Sequence, residues 1–150
     1  MSFDADAFLQ QTTSEAMAEE RVPVPEGDHD TQIMELTFRD GRTQENKPWV
    51  QMTVKAKVLD PNIAEEMGLD DAFLYKRMFL DLTEDGALAF GTNKNVELGQ
   101  LRAACGQNVE GEEWNLGMLQ GASVGMVCGH RMNDKQEPVA EVTGFYNSDV

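Results

Sequence analysis

The run Trp49 to Val58, WVQMTVKAKV, alternates between apolar and polar residues almost without error. Successive side chains of a strand face opposite sides, so Val50, Met52, Val54, Ala56 and Val58 form one apolar face. Trp49, Gln51, Thr53, Lys55 and Lys57 form the other. A period of two scatters its apolar set around a helix but aligns it on a strand. The chain therefore has to build a sheet with one face in a core. The opposite face carries an indole and two ammonium groups, in a protein whose formal charge is −15.

The flanking segments repeat the pattern. In TQIMELTFR, Thr31 to Arg39, alternation predicts a strand with Met34, Leu36 and Phe38 facing inward and Ile33, Glu35, Thr37 and Arg39 outward. The polar loop DGRTQENK, with its turn-forming Asp40-Gly41, joins the two into a hairpin. DPNIAEEMGLDD predicts a short helix, capped by Asp60, opened by Pro61 and closed near Gly68. FLYKRMFLDL is a third strand, with Leu74, Met78, Leu80 and Leu82 inward and Phe73, Tyr75, Arg77, Phe79 and Asp81 outward. Lys76 interrupts its inner series, which points to a bulge or a sheet edge.

A helix follows in NVELGQLRAACG, with Asn95 as cap, Leu98, Leu101 and Cys105 on one face, and Gly106 as the stop. LQGASVGMVCGHRM and PVAEVTGFY, joined by NDKQE, form a second hairpin, with Trp114, Leu116 and Leu119 closing the core beneath it. Three strands, a helix and two strands, with glycine-rich bending, predict a mainly β fold: a five-stranded Greek-key OB-fold barrel. The rival is a small open sheet or sandwich with a helix on one face. The globular domain is expected over 31–150. An acidic arm over 1–30 precedes it, with Phe8, Leu9, Thr12, Ala16 and Met17 at helical spacing, Ser2 as cap, and Pro23 and Pro25 ending any helix.

Composition narrows the function. With 150 residues the chain is long enough for one core without metal or disulfide staples. No apolar run approaches the ~20 residues of a membrane span, and the acidic start is unlike a secretory signal. These features predict a cytosolic protein with no membrane partner. Cys105 and Cys128 read as reduced, packed thiols. His29 and His130 lack partners at metal spacing, so neither a metal nor another cofactor is expected. There is no GxSxG, no GxxxxGK[ST] and no Cys/His pair at nucleophile spacing, which argues against an enzyme. The first 31 residues hold eight carboxylates against Arg21 alone, whereas residues 32–105 hold twelve acids and nine bases. Binding follows the local patch, so overall acidity does not exclude an anionic ligand.

In an OB barrel the second and third strands bind oligonucleotides or oligosaccharides, flanked by the loops after the first and fourth strands. Those two strands carry Trp49, Lys55, Lys57, Tyr75, Arg77 and Phe79 on their outer faces, and Arg39, Arg42, Lys47, Arg131 and Lys135 fall in the flanking loop positions. The rings offer platforms on which bases stack, and the cations match phosphates. Each residue alone also fits a structural role, as cross-strand packing or as a guard on a sheet edge. Only their joint placement on adjacent strands points to a nucleic-acid face. A different use of the same charge is an acidic interaction module, a DNA mimic that occupies a basic site on a host protein.

The succession SFDADAFLQQTT, VPVPEGDHDTQI, FLDLTEDGALAFGTNKNVELGQLRAACGQN, WNLGMLQGASV and AEVTGFY resembles the OB-fold single-stranded DNA-binding proteins encoded by bacteriophages. The resemblance implies a protein that coats and protects single strands during phage DNA replication or recombination, in the cytoplasm of the infected bacterial host. Many such proteins end in an acidic tail that recruits partners. This sequence ends FYNSDV, with one Asp, so two roles are open for the acidic N-terminal arm: recruiting phage replication or recombination proteins in place of a tail, or competing with DNA for the basic face when no strand is bound.

Overall fold

The computed structural model describes residues 2–148; Asp149, the acid of the terminal FYNSDV, lies outside them. Five antiparallel strands form one sheet: β1 (Gly27–Arg42), β2 (Pro48–Val58), β3 (Phe73–Leu80), β4 (Ser123–Met132) and β5 (Pro138–Tyr146). Their order across the sheet is β3-β2-β1-β4-β5. The helices are few and short: α1 (Ala5–Leu9), α2 (Pro61–Met67), α3 (Val96–Ala104) and a 3-10 turn over Leu116–Leu119.

The alternation of β2 becomes the centre of the core. Met52, Val54 and Ala56 are fully buried, joined by Leu74 and Met78 from β3, Val124 and Met126 from β4, and Leu98 and Leu101 from α3. Asp60 caps α2 by accepting the Asn62 amide hydrogen bond at 3.0 Å, Pro61 begins it, and Gly68 closes it in the left-handed region at φ 72°. Asn95 stands before α3 but does not cap it. Its side chain instead bonds the Asp81 amide (2.7 Å) and the carbonyls of Asp81 and Ala89, tying the end of β3 to the loop before the helix. Leu119 is fully buried beneath the second hairpin. Trp114 is half-buried, with Arg102 stacked 4.0 Å from its ring and its indole N–H donating to Gln107. Both cysteines are free, and burial pushes the Cys105 thiol up to about 11.

β1 departs from the predicted phase. The register against β2 shifts between Ile33 and Glu35, so Ile33 is fully buried while Met34 is 48 % exposed. A bulge adds one residue to one strand and thereby exchanges faces across it. Leu36 keeps its inward direction, opposite Val54, and Phe38 lies opposite Met52 but beyond the covered core, 51 % exposed.

The domain also begins earlier than residue 31. β1 starts at Gly27, and Val24 is buried in the core. Both histidines fasten this lead-in: His29 donates to the Pro25 carbonyl and His130 to the Val24 carbonyl, each at 2.7 Å. Upstream, α1 is a single turn and a half capped by Asp4 rather than Ser2, and Thr12, Ala16 and Met17 are exposed outside any helix.

The sheet is open, with β3 and β5 as its two edges. Lys76 explains how the edges stay together without a ladder. It sits at an edge with the register unbroken, opposite Val54, and its ammonium reaches across to donate to the Val142 carbonyl of β5 (3.3 Å) while pairing with Glu97 of α3 (3.5 Å).

Candidate nucleic-acid interface

The outer face of the sheet is ordered by cross-strand register. Arg39, Gln51 and Phe79 form one row across β1, β2 and β3, and Glu35, Lys55 and Tyr75 form another. Arg77 lies between these rows, opposite Thr53. Trp49 pairs with Gly41 and meets Phe79 edge to face, with ring centroids 5.9 Å apart at 71°. A Cβ on Gly41 would lie 2.6 Å from the indole. The missing side chain is therefore what lets the ring lie across β1. Tyr75 and Phe79 are 54 % and 67 % exposed, and Trp49 is half-buried.

The cations divide into two groups. Lys55 lies over the Phe73 ring, 4.3 Å from its centroid, and Lys57 pairs with Asp71 at 3.2 Å. Lys47 pairs with its turn neighbour Glu45, and Arg42 donates to the Asn46 carbonyl, which fastens the hairpin. Arg39, Arg77, Arg131 and Lys135 form no ion pair among the described residues.

Three of the predicted loop positions are strand positions. Arg39 and Arg42 lie within β1 and Arg131 within β4, because both hairpins extend further than their turn residues suggested. Arg131 faces Tyr75 and Arg77 across an open groove of about 350 Å³ between the β3 and β5 edges. Lys135 does not join them. It lines a separate recess with Arg21 and Asp134 at the tip of the second hairpin.

The structure thus gathers Arg39, Trp49, Tyr75, Arg77 and Phe79 on one face and adds Arg131 at its rim. Sequence reasoning missed three supporting residues: Gly41 beneath the indole, Phe73 beneath Lys55, and Lys76 in the groove. The alternation of β3 had placed Phe73 outward, but nothing in the sequence pairs it with Lys55. Among the described residues, no group of three or more His, Cys, Asp and Glu side chains is placed to hold a metal, and no helix is long and apolar enough to cross a membrane.

Fold and face together define a mainly β protein that presents exposed rings and unpaired guanidinium groups on one side of an open antiparallel sheet. No protein-family model matches the chain, and comparison with curated proteins finds no match.

Proposed function

We propose that this protein binds single-stranded DNA without sequence preference and protects it during phage DNA replication or recombination, as a non-catalytic coat in the infected cell. The observation that carries the reading is the face itself: the edge-to-face Trp49–Phe79 pair, the exposed Tyr75, and the unpaired Arg39 and Arg77 spread over three adjacent strands. Rings at this spacing stack on any base, and guanidinium groups between them accept the phosphate chain. We read the open sheet as an OB-type barrel parted along one seam, between β3 and β5, with Lys76 bridging it. Arg131 then extends the cationic track over that seam.

Titration of oligo(dT) at low and moderate salt, followed by indole fluorescence, tests the reading. Affinity should fall steeply with salt because bound phosphates release counterions. Absence of binding at low salt overturns it.

The N-terminal arm favours a second reading, an acidic module that imitates DNA toward a basic host protein. Residues 2–22 are all solvent-facing, and the first 31 residues carry eight carboxylates against one arginine. Such a module would ignore oligo(dT) and be displaced from its host protein by competing polyanions. In the leading reading the same arm is the surface offered to replication or recombination proteins.

A further inference from the structure

A second concavity lies off one end of the groove between β3 and β5. The groove sets Lys76, Arg77 and Arg131 against the single carboxylate of Glu141. At Tyr75 and Ala140, which line both, it adjoins a cavity of about 490 Å³. Val22 and Pro23 of the lead-in, Leu69 just after α2, Phe73 and Tyr75 of β3, and Val139 of β5 wall this cavity. Its charged members are Glu20 and Arg21, both on the exposed stretch before the lead-in. Val22, Leu69 and Tyr75 are 63 %, 54 % and 54 % exposed, so an apolar wall faces water. Apolar side chains left wet around a concavity mark a place where an apolar group is received.

We propose that this cavity takes one unstacked base of a bound single strand, whose adjoining phosphates lie in the groove against Arg77 and Arg131. The proposal rests on the DNA-binding reading and goes beyond it, because it assigns a base to a site built by the lead-in and the end of α2 rather than by the sheet face. A base is a flat ring with apolar faces, tied to an anion. The cavity is walled by two aromatic rings and a proline, and it opens beside a cluster of cations, with Tyr75 at the junction. An apolar side chain of a peptide would fill the cavity but leave those cations without a partner. Past the cavity the phosphate chain meets no net attraction. The next recess, which shares Arg21, Pro138 and Val139 with it, sets Arg21 and Lys135 against Asp134 and Glu137. The strand therefore follows the groove as far as Tyr75 and turns its base inward there. Tyr75, Glu20 and Arg21 apart, the lining side chains carry no strong hydrogen-bonding group, so the cavity holds a base by its faces and does not read its edge.

Photocross-linking of the full chain to an oligonucleotide of 5-iodouracil, with the linked peptides mapped by mass spectrometry, tests the assignment. Links to Phe73 or Met67, which line the cavity, are expected besides links to Trp49 and Phe79 on the sheet face. Val139→Phe, which fills the cavity from β5, should abolish the cavity links and keep the others. It should also weaken oligo(dT) binding roughly tenfold, the worth of one stacked base, with the salt slope unchanged because no phosphate contact is lost. The mapping on the unaltered chain stands even where the variant fails to fold. Links confined to Trp49 and Phe79 overturn the cavity assignment and leave the DNA-binding reading in place, as does a folded Val139→Phe chain that binds oligo(dT) undiminished. Association of the chain with itself in the absence of DNA, abolished by Val139→Phe, makes the cavity a contact between copies and overturns the assignment too. Absence of oligo(dT) binding at low salt overturns both.

Discussion

Trp49 and Gly41 act as a unit. The indole can lie over β1 only because Gly41 has no side chain, and it is held there edge-on to Phe79. In the proposed DNA-binding role, Trp49→Ala should weaken oligo(dT) binding by about 1–3 kcal/mol, the worth of one stacked base, with the salt slope unchanged. Gly41→Ala should lift the indole, visible as a shift in its emission, while preserving every charge. The cations separate by their partners. Arg77 has no ion pair among the described residues, whereas Lys57 is held by Asp71. Arg77→Ala should therefore flatten the dependence of log K on log salt by about 0.7, one single-strand phosphate contact, and Lys57→Ala should flatten it less.

At the level of elements, the last residue of β5 and the segment after it fasten β5 to β1 and β4. Tyr146, the last residue of β5, donates from its hydroxyl to Asp30 at 3.1 Å, and Ser148 donates to the same carboxylate oxygen. Burial, then the hydrogen bond and charge of Asp30 and the charge of Asp28, push the phenol up to about 12. The unfolded chain ionises this group near 10, so its contribution is fully present below that pH and is lost as pH rises through the folded value. Chemical denaturation between about pH 10 and 12 should show stability falling, and Tyr146→Phe should remove part of that fall. The ring packs on Gly125 so closely that an added Cβ would meet it at 2.2 Å. Gly125→Ala should cost about 1–3 kcal/mol by overpacking, measured by urea unfolding.

For the whole molecule, the seam between β3 and β5 decides how open the sheet is. Lys76 crosses it with an ammonium that touches a β5 carbonyl and a carboxylate of α3. Its loss should cost about 1.5–3 kcal/mol, the scale of a hydrogen bond to a charged group. The signature specific to the seam is faster amide exchange in β3 and β5 of Lys76→Ala, with β1 and β2 unaffected. Much of this architecture was legible in advance. The period-two runs of β2 and β3, the caps Asp60, Pro61 and Gly68, and the hairpin over Ser123 to Tyr146 are local signals, because a strand's alternation and a helix's ends are written in adjacent residues. The Ile33–Glu35 bulge was not legible, since it depends on which residue of β2 lies opposite. The early start of the domain was hidden too, because it rests on histidines that reach Val24 and Pro25 from β1 and from the distant β4. The lysines divided for the same reason: sequence placed Lys55 and Lys57 on the outer face but not Phe73 and Asp71 against them. Periodicity and end signals, which act between near neighbours, determined the elements and the faces of the strands. Register, the open seam and the choice of which cations stay unpaired were decided only by tertiary contacts, because each is a relation between residues that the chain brings together after folding.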